Sequence, residues 1–346
     1  MSMQARVLTV ARFSEKWAGT ASVFPGALIC VVVAMAATFL AQQFGGPQLL
    51  YALLIGLSLH FLVDQSRIVP GIDFCSRTLL RLGVALLGMR ITVSQVLGLG
   101  FETALIMGVA VGATILLGLA LARVLGVAPS QGVLSGGAVA ICGASAALAI
   151  SSVLPPTREN ERFTLLTIVG VTVLSTFAMV VYPFALGFLQ LSEKASGIVL
   201  GGTIHDVAQV VAAGMLIGPE AGEVATVVKL FRVVLLMPVA LLVAMAFRGP
   251  AQPTRRPLAI PLIPGFLVAF VVLMLLGSAH VFPASLTALA GDASKALLVV
   301  AIAAAGIKTA FVDLLKLGWK PVLMLASETM FIAVIVLAAV LLLKAG

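Results

Sequence analysis

An all-α polytopic membrane protein is the fold class this sequence predicts, and three observations predict it. Of 346 residues, 61% are hydrophobic and only 10% are charged, against about 25% charged in ordinary soluble domains. The mean hydropathy is +1.20, which excludes a water-soluble fold. Apolar runs long enough for a helix to cross a bilayer core of about 30 Å recur along the whole chain. None shows the two-residue alternation of a transmembrane β-strand.

Eleven such runs fall near 24–41, 47–63, 74–92, 101–122, 129–153, 161–189, 194–217, 220–247, 258–280, 292–312 and 319–344. The first 23 residues carry Arg6, Arg12, Glu15, Lys16 and Trp17 without an A-x-A-like cleavage site, and are expected to be a cytoplasmic lead-in. The rest, 24–346, is expected to be a single transmembrane domain. With the N-terminus inside, eleven Lys and Arg fall in inside segments and five outside. That bias predicts a multi-pass membrane protein with its N-terminus cytoplasmic and its C-terminus outside. The Pro-rich basic stretch 248–257 is then a cytoplasmic connection.

The formal charge is +8. In a membrane chain such an excess belongs first to cytoplasmic loops and only second to an anionic ligand. No basic run with interleaved aromatics points to nucleic acid. Cys30, Cys75 and Cys142 form neither CxxC nor a Cys/His cluster, so no metal, cofactor or disulfide framework is expected. The bilayer and a small ligand are the partners expected, and a second copy of the chain is a candidate for a homodimer.

Laid over the first half, the second half repeats its order. Span 2 (LIGLSLH, 54–60) matches span 7 (VLGGTIH, 199–205), pairing Gly56 with Gly201, Ser58 with Thr203 and His60 with His205. Span 3 matches span 8, pairing Arg81 with Arg232, and span 5 matches span 10, pairing Gly143 with Gly306. Every shift is five spans. Five is odd, so the copies would be inserted in opposite senses. The expectation is a five-plus-five inverted repeat, about 47–189 and 194–344, with 24–41 as an extra helix and spans 5 and 10 as broken crossover helices.

Span 5 reads SQGVLSGGAVAICGASAALAISSVLPP, with Gly132, Gly136, Gly137 and Gly143 among Ser135 and Ser145. A helix breaks at membrane depth only where protein or a polar cavity satisfies the freed backbone. A break around Cys142, Gly143, Ala144 and Ser145 would expose amides and a positive dipole end suited to an anion. The other reading is that small residues here permit tight helix packing.

Ionisable groups inside spans need a partner or a job. His205, Asp206 and Gln209 share GTIHDVAQ in span 7. A carboxylate beside an imidazole suits coupling or gating by protons, though Asp206 could equally cap a broken helix. Lys229 and Arg232 are three apart on span 8. Arg232 and Arg81 are expected to be buried and to offer guanidinium forks to an oxyanion, whereas Lys229 and Arg77 sit where snorkelling is expected. Lys308, with Thr309 beside it, could complete the anion site, and Glu328 in span 11 could be its counter-ion. His60 and His280 read as structural, Arg90 and Glu102 as solvated.

Taken together, LLRLGVALLGMRITVSQV (79–96), ICGASAALA (141–149), GTIHDVAQVVAAG (202–214), KLFRVVLLMPVALL (229–242) and AAAGIKTAFVDLLKLGWKP (303–321) resemble the YeiH-like sulfate exporter family of bacterial inner-membrane proteins. The likeness covers nearly the whole chain after residue 24. The resemblance implies a distant relation to the cation/proton antiporter and anion transporter superfamily, an inverted-repeat fold with two crossing broken helices, and sulfate or a related sulfur oxyanion as passenger. It transfers no confirmed binding residue.

Among function classes, secondary anion transport by alternating access is the expectation, with a cation/proton antiporter on the same fold as the alternative. G-x-x-x-x-G-K-S/T is absent, which excludes ATP hydrolysis by a Walker site. HExxH and GxSxG are absent too, so an intramembrane enzyme is not expected. A channel needs no repeat with broken helices.

Overall fold

The computed structural model describes residues 3–247, 264–309 and 318–345, with side chains between 22 and 342. All regular structure among the described residues is helical. In chain order α1 is Met3–Phe44, α2 Gln48–Ser58, α3 Val69–Phe74, α4 Leu80–Leu87, α5 Val93–Leu97 and α6 Gly100–Leu125. Then come α7 (Pro129–Ala140), α8 (Ala144–Ser151), α9 (Arg158–Phe188), α10 (Glu193–Thr203) and α11 (Val207–Ile217). They are followed by α12 (Pro219–Val234), α13 (Leu236–Ala246), α14 (Gly265–Ser278), α15 (Ala284–Lys308) and α16 (Trp319–Ala345).

Among the described residues, six helical stretches are long and apolar enough to cross a membrane: Ser22–Phe44, Gly100–Leu125, Arg158–Phe188, Pro219–Ala246, Ala284–Lys308 and Trp319–Leu342. Several of the remaining expected runs are interrupted, which is why they do not stand as single long helices. Span 2 passes from α2 into a 3-10 turn at His60–Asp64, and span 3 from α3 through a π turn at Cys75–Leu79 into α4. Spans 5 and 7 are the helix pairs α7/α8 and α10/α11. In span 9, 258–263 lie outside the described residues and α14 begins at Gly265.

The chain divides into two compact units, Met1–Val84 with Asp292–Thr309, and Ala85–Gly291 with Ala310–Gly346. In the first, Cys30, Ile68, Ile72, Cys75, Ala304 and Ile307 form a buried cluster. The α2 and α15 backbones meet at Gly56 and Gly306. A Cβ on Gly306 would stand 2.5 Å from the Leu53 carbonyl oxygen and 3.1 Å from the Gly56 Cα. Gly306 therefore serves close helix packing, the reading that small residues allow. The helix of span 10 runs through Gly306 and is left only at Thr309, because α15 ends at Lys308. Residues 310–312, the end of that span, lie outside the described residues.

In the second unit, α16 packs against α6, α7, α9 and α10. The α6–α7 seam is glycine-lined: a Cβ on Gly136 would lie 2.9 Å from the Ile115 Cα. This contact brings the first half of span 5 close to its neighbour and leaves α7 almost wholly buried.

Candidate functional site

Two interrupted helices define the centre of the second unit. In span 5 the chain leaves helix at Ile141, and Gly143 turns it with φ +63° and ψ −125° before α8 begins. A positive φ with that ψ is glycine territory, so GASA begins a new helix and does not continue the old one. In span 7 the chain leaves helix at Ile204, which is extended at φ −64° and ψ 142°, and resumes at Val207. Asp206 caps α11, its Oδ1 accepting from the Ala208 amide at 2.8 Å. Ser175 Oγ of α9 accepts from the amides of both His205 and Asp206, at 3.2 and 3.0 Å.

Each interruption strands helix-end carbonyls, which water cannot satisfy at membrane depth. Lys229 and Arg232 of α12 satisfy them. Arg232 donates from Nε to Ala140 O at 2.8 Å, from Nη2 to Val139 O at 2.9 Å, and from Nη1 to Gly201 O and Ile204 O at 3.0 and 3.2 Å. Lys229 Nζ donates to Ile141 O at 2.6 Å and Ile204 O at 2.9 Å. Both side chains are fully buried. Two positive charges thus sit on the negative dipole ends of α7 and α10.

This corrects two expectations. Lys229 does not snorkel, because its ammonium group is held by two interior carbonyls. Arg232 is buried as expected, but its fork is committed to the backbone and four donor contacts are already made. A guanidinium has five N–H groups, so little is left for an oxyanion.

At the other end of the span 5 interruption, Ala147 N closes the first α8 turn onto Gly143 O at 3.0 Å, so the amides of residues 144–146 precede the helical hydrogen bonds. Cys142 and Gly143 are buried, Ala144 is half-buried and Ser145 is exposed, so this amide end borders the surface of the second unit. Gln209 Nε2 donates to Thr176 Oγ1 at 2.7 Å. His205 shares a hydrogen bond with Thr329 Oγ1 at 2.9 Å through Nε2. Glu328 Oε1 accepts from Ser135 Oγ at 2.7 Å. Among the described residues, Thr167 Oγ1, His205 Nδ1, Gln209 Oε1 and Glu328 Oε2 are buried polar atoms without a hydrogen-bond partner.

The second unit therefore holds Cys142, Gly143, Ala144, Ser145, His205, Asp206, Gln209, Arg232 and Glu328, whereas Arg81, Lys308 and Thr309 belong to the first. Arg81 is exposed and belongs to the first unit, against the expected buried role. Lys308 makes an ion pair with Asp73 at 2.5 Å, so Asp73 and not Glu328 is its counter-ion. Thr309 is buried and donates to Ala305 O at 2.8 Å. Arg90 is not simply solvated. It faces Glu223 at 3.7 Å, beside a cavity of about 170 Å³ that Gln95, Lys194 and Glu220 also line. Sequence reasoning missed Asp73, Ser175 and Thr176. Asp73 was legible as a lone acid in an apolar run, whereas the hydroxyls of α9 carry no signal that separates them from ordinary helix residues.

Residues 25–325 match the family described as "Conserved hypothetical protein 698". The chain is 47% identical over 315 residues to the UPF0324 membrane protein TauZ of Paracoccus denitrificans, covering 90% of this chain and 93% of that one. The chain belongs to the UPF0324 family. A UPF0324 membrane protein of Chlorobaculum tepidum, CT0845, is 46% identical over 318 residues, 92% of this chain and 89% of its own. One from Rhizobium meliloti, RB0971, is 47% identical over 315 residues and 91% of each chain. Each is described only as a membrane protein. These UPF0324 relatives are bacterial and the spans here are helical, the architecture of inner-membrane and not outer-membrane proteins. The chain is accordingly a multi-pass bacterial inner-membrane protein.

Proposed function

We propose that this UPF0324 protein is a secondary transporter of a small anion. One observation carries the reading: the carbonyl ends of both interrupted helices are occupied by the fixed cations Lys229 and Arg232, while the amide end of α8 borders the surface of its unit. Broken helices at membrane depth are the device by which transporters bring backbone dipoles to a ligand, amide ends serving anions and carbonyl ends serving cations. With the carbonyl ends taken, the chemistry left is that of an anion site around Gly143, Ala144 and Ser145.

The resemblance to the YeiH-like sulfate exporters makes sulfate or a related sulfur oxyanion the first passenger to test. Export suits the membrane potential. A dianion leaving a negative interior gains about 4.6 kcal/mol per 100 mV, since each charge is worth about 2.3. An N-terminus inside, a C-terminus outside and alternating access of an inverted repeat belong to the same proposal. It is supported by one detail of register: Ser58 and Thr203, paired in the repeat, are each the last residue of their helix. Cation/proton antiport is less well supported, because an alkali cation would compete with Lys229 and Arg232 for the same carbonyls.

The test is exchange of radiolabelled sulfate in proteoliposomes, with thermal stabilisation of the purified protein by sulfate, sulfite, thiosulfate, organic sulfonates and sodium as a companion. A true passenger at 100 times its Kd stabilises by about 2.7 kcal/mol. Sodium or proton flux indifferent to every oxyanion overturns the assignment.

A further inference from the structure

Glu328 and Thr329 are consecutive residues in the first half of α16, and each is tied to a different interrupted helix. Ser135 of α7 donates to Glu328 Oε1 at 2.7 Å, and His205, at the span 7 interruption, bonds Thr329 Oγ1 at 2.9 Å. One step along α16 therefore touches both helices whose breaks form the candidate site. Glu328 itself is fully buried in a 27-residue apolar helix, and its Oε2 has no partner. Its carboxyl group lies over the glycine seam: a Cβ on Gly118 would stand 2.8 Å from Oε1.

A carboxyl group used only as structural glue would be satisfied on both oxygens, or replaced by an amide. This one has a single neutral donor. The elements packed against α16 offer it no countercharge among the described residues. α7 carries no charged residue. Glu102 and Arg123 of α6, Arg158, Glu159, Glu161 and Arg162 of α9, and Glu193 and Lys194 of α10 all stand in or next to terminal turns, and Tyr182 lies nearly two turns before the end of α9 at Phe188. Lys320 at the start of α16 donates to Leu125 O. The titratable group nearest in the network is His205, and it bonds the adjacent residue.

We propose that Glu328 is a proton-binding site that couples proton movement to the rearrangement of the two interrupted helices. The inference rests on the transport reading above. On uptake an O–H bond forms at Oε2, while Ser135 continues to donate to Oε1. On release that bond breaks and the proton leaves to the opposite side, and no other covalent bond changes. An ionised Glu328 holds Ser135 by a charge-assisted bond and a protonated one holds it less strongly. The proton therefore sets how firmly α7 is tied to α16, and Thr329 carries the same displacement to His205. Ser135, Thr329 and His205 are positioning residues in this scheme.

The experiment follows internal pH and radiolabelled sulfate together in proteoliposomes holding wild type, Glu328→Gln or Thr329→Val. The expected result is proton flux in fixed ratio to sulfate in wild type. Glu328→Gln should lose that flux and show a flat pH profile while still exchanging sulfate. Thr329→Val should keep the pH profile but exchange more slowly. Proton flux unchanged in Glu328→Gln overturns the coupling and leaves anion transport standing. No sulfate movement in wild type counts against the passenger instead. Glu328 is then read directly by infrared difference spectroscopy across a pH titration. A protonated-carboxyl band that Glu328→Gln removes, and Glu328→Asp shifts, supports the site, and absence of the band overturns it.

Discussion

Lys229 and Arg232 share an acceptor: both donate to the Ile204 carbonyl, at 2.9 and 3.2 Å, from positions three residues apart on α12. That shared carbonyl is where the span 7 interruption begins; Arg232 also holds Gly201 O of α10, and the contacts to Val139, Ala140 and Ile141 close the span 5 interruption. One helix face thus neutralises two broken helices, so neither break can persist if α12 moves away.

The sharing makes the two cations unequal. Lys229→Met strands chiefly Ile141 O, since Arg232 keeps Ile204, whereas Arg232→Met strands Val139, Ala140 and Gly201. At about 1–3 kcal/mol for each orphaned buried carbonyl, Arg232→Met should lower thermal stability about three times as far. Thermal unfolding of the detergent-purified proteins measures it. Equal losses would mean that the carbonyl contacts do not hold the breaks.

Lys229→Ala leaves room beside Ile141 O and Ile204 O for a small cation. Ammonium, which restores the missing donor, should raise the melting temperature of this variant well above its effect on wild type, and sodium should do less. Equal response of variant and wild type to ammonium contradicts the capping role.

Ser145 is exposed at the amide end of α8, so Ser145→Leu should alter stability by no more than about 0.5 kcal/mol yet abolish sulfate exchange. Gly143→Ala should do both kinds of damage. Its φ of +63° with ψ of −125° is costly for any side chain, by about 1–3 kcal/mol. Exchange at wild-type rate in Ser145→Leu would remove the amide end from the transport pathway.

In the first unit, Asp73 and Lys308 are half-exposed and paired at 2.5 Å. A double-mutant cycle with Asp73→Asn and Lys308→Met should give a coupling energy of about 0.5–3 kcal/mol, the range for residues in contact. Additive losses would dissolve the pair.

Gly306 tests packing against breakage. Gly306→Val has to displace the Leu53 carbonyl and the Gly56 backbone, an overpacking cost of roughly 1–3 kcal/mol. If Gly306 were a hinge with open space around it, the larger side chain would leave the melting temperature unchanged.

Much of the membrane architecture was legible before any coordinates. Apolar run length and the lack of two-residue alternation give helical spans, and the GASA segment gives the first break, because glycine among small residues cannot hold a helix where no other force favours it. The second break was not legible as such. GTIHDVAQ contains no glycine at the interruption itself, and Ile204 leaves the helix because Ser175 on another helix accepts the amides of His205 and Asp206. Conversely, Gly306 carried the same local signal as Gly143 and turned out to be a packing contact. A glycine loosens the backbone equally in both places, and only the neighbour decides whether that freedom is used to bend or to approach.

What the sequence by itself determined is therefore the solvent: a chain this apolar partitions into lipid, as helices, with its few charges confined to particular spans. Which charge meets which partner was decided by tertiary structure alone. Lys308 lies beside Asp73, Glu328 beside Ser135, and Arg232 against backbone carbonyls. The physical reason is that hydropathy is a property of each segment taken singly. The satisfaction of a buried charge is a property of whatever the fold brings within about 3 Å of it, and in this protein the partner of buried Glu328 comes from 193 positions away.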